Sequence, residues 1–229
     1  GAPGKSGAAG QHNRVTRMGT ESIPRLITEF AIPSILGMLV NGAYNVIDSI
    51  FLGQAMGEIG LSTATVAMPI MTVFMAIAML VGNGGNALAA LRMGEGKPEE
   101  AERSLGNTVT LSLIFSVIVA IIVFIPACLD ALLGISGATP EDWGYATQFI
   151  RIISLGFIFQ CIGMGVNNFI RTAGAPNRAL GTMIIGAVAC TAFNALFVLV
   201  MGMGVAGSAL ATVCGQAISC ATVLWYFCM

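Results

Sequence analysis

Four polar side chains interrupt an apolar stretch near the amino terminus at helical spacing. They recur at i, i+3, i+4 and i+7, so one helix carries all of them on one face: Asn41, Tyr44, Asn45 and Asp48. A carboxylate at membrane depth is costly, so it usually faces a cavity, a partner or a proton. The stripe therefore predicts an ion-coupling site at Asp48, with Asn45 beside it. The alternative is a carboxylate near the outer interface that only caps or pairs.

Later apolar stretches contain further polar side chains that could line the same interior. They fall in three separate stretches: Gln160 and Asn167; Asn194; Thr212 and Gln216. Taken singly, such residues usually hydrogen-bond one helix to another. Taken together with Asn41 and Tyr44, they predict a polar interior or substrate cavity that is at least partly wet.

Arg151 is the candidate ion-pair partner of Asp48. It lies about two helical turns after Trp143, at a depth that could match Asp48. A structural ion pair and a gating latch have the same sequence pattern, so both roles stay open.

Residue patterns for catalysis, cofactors or metals are missing from the sequence. The single histidine is His12, the six cysteines form no C-x-x-C pair, and no G-x-S-x-G or H-E-x-x-H motif occurs. The net charge of -1 indicates no nucleic-acid partner. We therefore expect neither an enzyme nor a metal or cofactor site.

The composition predicts an all-α membrane protein. Hydrophobic residues make up 56% of the chain and charged residues 9%, against about 25% charged in soluble domains. Six apolar runs reach the roughly 20 residues that a membrane-spanning helix needs. They lie near 24–52, 60–91, 105–127, 143–170, 178–202 and 204–228. We expect a six-helix lobe over 23–229, preceded by a flexible tail over 1–22, with turns between the runs, including 53–60 and 126–142.

Basic residues fix the orientation of these six helices. Lys and Arg occur before the first helix, between the second and third, and between the fourth and fifth, whereas the opposite loops carry only acidic charges. Because basic loops stay in the cytoplasm, both termini are predicted to be cytoplasmic, in a multi-pass protein of the cell (inner) membrane.

A ten-residue pattern occurs twice, at the start of two inward helices. Residues 57–66 and 204–213 share G-x-x-G-x-x-x-A-T-V. A duplicated hairpin would explain this, and so would a shared need for small residues at helix contacts.

Three segments resemble the multidrug and toxic compound extrusion (MATE) transporters of bacterial type. The first runs from Phe30-Ala-Ile-Pro-Ser34 through Asp48 to Gly53 and resembles the family's first helix. The others, 168–177 and 202–213, resemble the loop between its fourth and fifth helices and the start of its sixth. The resemblance covers about residue 23 to the carboxyl end.

This resemblance implies an antiporter that exports organic cations or amphipathic drugs in exchange for protons or sodium. Asp48 would be the ion-coupling carboxylate of the amino-terminal lobe. Relatives often carry a carboxylate where this chain has Asn194, so a relay of two carboxylates within the lobe is in doubt.

The family has twelve helices in two lobes, and this chain matches the first. A homodimer would rebuild the architecture, because a six-helix unit with both ends inside can pair with a copy in the same orientation. The alternatives are a truncated or non-transporting lobe that acts as a membrane scaffold, and a lipid-precursor flippase of related fold. The expected partners are a small-molecule substrate, the lipid bilayer and a second lobe.

Overall fold

The computed structural model describes residues 23–228, with side chains to residue 225, and these form a helical bundle. The helices are α1 (Ile23–Met56), α2 (Glu58–Gly94), α3 (Pro98–Phe124), α4 (Pro126–Ile135), α5 (Trp143–Thr172), α6 (Pro176–Asn194) and α7 (Gly204–Cys228). A π-helical turn, Ala195–Val200, continues α6. The predicted tail over 1–22 lies outside the described residues.

Six of these helices are long and apolar enough to cross a membrane, which confirms the predicted number. Every described Lys and Arg except Arg151 lies at one end of the bundle, the end that the basic loops place in the cytoplasm.

The predicted turn over 126–142 is wrong in its first half, because α4 forms there. Pro126 disfavours a helical conformation at Ile125, which is extended, and so ends α3. The same proline then occupies the first turn of α4, where its missing N–H costs nothing. Leu129 and Leu133, four residues apart and fully buried, anchor α4 on the core.

The predicted turn over 53–60 also proves too long. α1 continues through Gly53 to Met56, and α2 begins at Glu58. Gly57 alone makes the reversal, with a φ of 61° that is costly for residues with a Cβ.

α1 lies at the margin of the bundle and α5 at its centre. α5 packs on α2, α3, α6 and α7, whereas α1 packs on α6, α2 and α7. α1 is the least buried of the six spans and α5 the most buried. α1 and α5 therefore share no extensive interface.

The repeated G-x-x-G pattern makes the same contact at both outer hairpins. A Cβ on Gly60 would lie 2.7 Å from the carbonyl oxygen of Leu52, and one on Gly207 would lie 3.0 Å from that of Phe197. In each hairpin the second glycine of the repeat passes the backbone of the preceding helix. Close packing thus explains these glycines, whether or not the hairpin was duplicated.

Gly60→Ala and Gly207→Ala are each expected to lower the Tm of the purified protein in detergent. The added methyl group meets a backbone oxygen that cannot rotate away, and overpacking of this kind costs about 1–3 kcal/mol. Gly84→Ala is the matched control, because a Cβ there meets nothing within 4 Å. Its Tm should stay level or rise, since alanine favours helix. Equal Tm values for all three variants would contradict the packing argument.

Candidate functional site

Asp48 lies at the centre of a polar cluster between three helices. Its Oδ1 accepts hydrogen bonds from Asn194 Nδ2 at 2.6 Å and from Ser208 Oγ at 2.8 Å. Asn194 ends α6, and Ser208 lies one turn into α7. Asp48 is eight residues, about 12 Å, from the outer end of α1. The carboxylate therefore lies within the span and joins α1 to two partner helices.

Asn194 is fully buried, and only one of its two polar side-chain atoms has a hydrogen-bond partner. Its amide nitrogen binds Asp48, while its Oδ1 is buried with no hydrogen-bond partner. The opposite amide orientation would place two acceptor oxygens against each other, so the carboxylate fixes the nitrogen on its side. Burying an unsatisfied polar atom is costly. This oxygen is thus an acceptor without a donor or a cation, next to a carboxylate.

Tyr44 extends the cluster one turn along α1. Its hydroxyl hydrogen-bonds the Thr212 hydroxyl at 2.9 Å, and its side chain lies against Cys190 of α6. Gln216 follows Thr212 by one turn on α7, and its Oε1 is buried without a partner. Two pairs at i, i+4 on α1 and α7 therefore face each other: Tyr44 with Asp48, and Ser208 with Thr212.

The other half of the α1 stripe lies on the surface of the lobe. Asn41 and Asn45 are exposed, and Asn45 Nδ2 donates to the Asn41 carbonyl oxygen at 2.8 Å. Asn45 lies about 100° around the helix from Tyr44, and Asn41 about 60°. The two amides thus lie together on one side of Tyr44 and outside the hydrogen-bonded cluster, on an exposed face where hydrocarbon would leave polar atoms unsatisfied.

Two predicted interior residues lie apart from the cluster. Asn167 Nδ2 donates to the Ala179 carbonyl oxygen at 3.0 Å and to Thr182 Oγ1 at 2.8 Å, which ties the inner ends of α5 and α6 together. Gln160 is half-buried on α5, which does not pack extensively on α1.

Arg151 and Asp48, the candidate ion pair, do not contact each other in the described part of the chain. Each residue lies eight residues from the outer end of its helix. The two residues lie on helices that are not neighbours. Asp48 of α1 packs against α6 and α7, whereas α5, which carries Arg151, has no extensive contact with α1. The Arg151 guanidinium instead lies over the Phe124 ring, 5.8 Å from its centroid.

Ser208 and Cys190 belong to the cluster but stand outside the predicted site set. Ser208 is visible in the sequence as a member of the polar stripe on the last helix, four residues before Thr212. Cys190 precedes Asn194 by one turn, and a cysteine in an apolar run gives no signal that separates a site residue from a core residue.

The cluster has the composition of an ion site built from oxygen atoms. One carboxylate, one free amide oxygen and the hydroxyls of Ser208, Tyr44 and Thr212 lie on three adjoining helices. Such a set could hold a proton on Asp48 or bind a small cation at its carboxylate. In the described part of the chain no group of three or more His, Cys, Asp or Glu side chains could hold a metal.

Relatives of known identity match nearly the whole chain. Multidrug export protein MepA of Staphylococcus saprophyticus is 22% identical over 90% of this chain and 45% of its own length. The probable multidrug resistance protein YoeA of Bacillus subtilis is 25% identical over 84% of this chain and 42% of its own length. The chain therefore spans about half the length of the curated relatives it matches.

Solved structures of MATE transporters are also similar to this chain over about half of their own length. The MATE multidrug transporter DinF-BH superposes with a TM-score of 0.85 at 41% identity, over 91% of this chain and 46% of that one. An outward-facing multidrug resistance transporter of the MATE family gives a TM-score of 0.81 at 26% identity, over 88% of this chain and 44% of that one. The family model described as MatE matches residues 33–196. This multi-pass membrane protein therefore belongs to the MatE family.

Proposed function

We propose that this chain is one lobe of an antiporter that exports organic cations or amphipathic drugs in exchange for protons or sodium ions. The observation that carries the proposal is the Asp48 carboxylate, held at membrane depth by Asn194 and Ser208. The names of the matched relatives, a multidrug export protein among them, support the direction and the class of substrate. The role is transport, and it involves no catalysis.

The ion would act by changing how strongly Asp48 accepts hydrogen bonds from its neighbours. An unprotonated Asp48 needs donors or a cation, and the hydrogen bonds from Asn194 and Ser208 supply part of that need. A proton or a bound sodium ion neutralises the carboxylate, which weakens its need for those two donors. The contact between α1 and the α6–α7 pair is thus sensitive to the ion, and an ion can bias α1 between two positions.

The substrate would bind between two lobes. Asn41 and Asn45 lie exposed on α1, the least buried span, and lipid is a poor neighbour for two amides. A second lobe or a water-filled cleft on this face would satisfy them. We propose that the second lobe is another copy of the chain, related by a twofold axis along the membrane normal.

A flippase fits the geometry less well than an exporter of cations. Anionic lipid precursors call for basic side chains around the cavity. Arg151 lies on α5, away from Asp48, and the cluster itself contains one carboxylate and otherwise uncharged groups. This electrostatic balance favours a positively charged substrate.

Asp48→Asn is expected to reduce transport at least tenfold in proteoliposomes, because the amide can neither release a proton nor attract a cation. The measurement is the efflux of a fluorescent organic cation driven by a proton or a sodium gradient. Asp130→Asn is the matched control, since Asp130 is an exposed carboxylate on α4, and it should transport at the wild-type rate. Wild-type flux through Asp48→Asn would rule out the proposed coupling.

Asn194→Asp is expected to make the thermal stability of the purified protein more dependent on pH. Asn194 Nδ2 lies 2.6 Å from Asp48 Oδ1, and two carboxyl groups at that distance cannot both ionise without strong repulsion. The Tm of the variant in detergent should match the wild type at acidic pH and fall below it as the pH rises. Asn168→Asp provides the control, since Asn168 hydrogen-bonds Asn83 and no acidic side chain. Parallel pH profiles for Asn194→Asp and the wild type would contradict the cluster geometry.

Two copies of the chain carrying different tags are expected to co-purify from cells that express both. Asn45→Trp should weaken this association, because a bulky ring on the exposed face of α1 prevents close approach. Val117→Trp should not, because Val117 lies on α3 and is 56% exposed on a different, apolar face. A stable monomer in nanodiscs, with no co-purification, would contradict the homodimer and leave a separate second lobe as the alternative.

A further inference from the structure

Arg151 is an exception to the distribution of basic residues along the described helices. The other described basic residues lie at the cytoplasmic end, whereas Arg151 lies in the outer half of α5. It precedes Arg171 by twenty residues, which is about 30 Å of helix. The Arg151 guanidinium lies over Phe124, the last residue of α3 at the outer end of that helix, so the side chain extends toward the outer interface. Trp143 and Tyr145 then lie at the outer interface, where such rings are enriched.

The guanidinium of Arg151 is only partly satisfied by the protein. It stacks on the Phe124 ring, and its Nε is buried with no hydrogen-bond partner. Ion pairs occur between described residues such as Arg92 and Glu95 or Lys97 and Glu100, and Arg151 takes part in none of those seen. The nearby Ser154 hydroxyl donates to the backbone carbonyl of Arg151 and so leaves its side chain untouched. The cation has no counter-ion in the described protein.

Arg151 lies on a face of the lobe that is otherwise lipid-exposed. Leu155, one turn further along α5, is 60% exposed, and Phe124 under the guanidinium is 49% exposed. Ile121, one turn before Phe124 on α3, is 56% exposed. These apolar side chains indicate contact with hydrocarbon, on a surface distinct from the exposed amides of α1. Gln148, one turn toward the outer end from Arg151, is exposed on the same face of α5.

We propose that Arg151 and Gln148 bind the phosphate of an outer-leaflet phospholipid. Phosphate groups are the abundant anions at the outer interface toward which the side chain extends, and the planar guanidinium fork matches their oxygen atoms. The Phe124 ring restricts the guanidinium, so little freedom is lost on binding. The Gln148 carboxamide adds a donor on the headgroup side, while Leu155 and Ile121 contact the acyl chains. The site is independent of Asp48 and of the export function proposed above.

The test is lipid binding to the delipidated protein, followed by thermal shift and by native mass spectrometry. The probes are phosphatidylglycerol, phosphatidylcholine, diacylglycerol and inorganic phosphate. Both phospholipids should raise the Tm of the wild type, whereas diacylglycerol lacks the phosphate and inorganic phosphate lacks the acyl chains, so neither should. Arg151→Leu should need roughly tenfold more phospholipid for half of the shift, as expected from loss of a charge-assisted hydrogen bond.

Two further variants keep the test decisive if Arg151→Leu folds poorly. Arg151→Lys keeps the charge without the fork, and Gln148→Leu changes an exposed position, so both should bind phospholipid more weakly than the wild type. Arg103→Leu removes an exposed arginine at the cytoplasmic end and should retain the wild-type lipid adduct. Unchanged phospholipid binding in all of the Arg151 and Gln148 variants would overturn the proposal. Equal stabilisation by inorganic phosphate would overturn the assignment to lipid.

Discussion

The structure depends on one carboxylate inside the membrane that needs hydrogen-bond donors or a cation. Asp48 can remain at its depth because Asn194 and Ser208 donate to it, and an unpaired charge there would cost several kcal/mol. That requirement brings the end of α6 and the start of α7 against α1. Asn194 reaches Asp48 from the last turn of α6, just before the π-helical turn. π-helical turns of this kind are frequent at functional sites.

The same arrangement leaves α1 weakly held, which is consistent with a moving part. α1 is the least buried span, and its polar contacts with the rest of the lobe include the Asp48 and Tyr44 hydrogen bonds. Small residues permit close approach elsewhere, as where Gly156 lies against Val213 and Gly215 against Cys190. A close-packed α5–α6–α7 core beside a loosely packed α1 would let α1 move, under the proposed ion coupling at Asp48, without disturbing the other helices.

Hydrophobic periodicity predicted much of this arrangement, and its failures have physical causes. The apolar runs gave the number of helices, and the i, i+4 spacing placed Tyr44 and Asp48 on one face. Residue count along a single helix gives the position of Arg151, eight residues after Trp143 at the outer end of α5. Which helices are neighbours depends on packing, which the sequence does not encode locally, and this is why the Arg151–Asp48 pair was wrong. The α4 helix was missed because a ten-residue apolar stretch after a proline reads equally well as a turn.

Coupling at Asp48 requires the carboxylate to alternate between a charged form and a form neutralised by a proton or a bound sodium ion. The most direct measurement is infrared difference spectroscopy of the carboxyl group in lipid, recorded as the pH is raised or as sodium is added. The wild type should show a protonated carboxyl C=O band that disappears in one of these titrations and is absent from Asp48→Asn. A wild-type spectrum in which no band assignable to Asp48 responds to pH or to sodium would contradict ion coupling at Asp48.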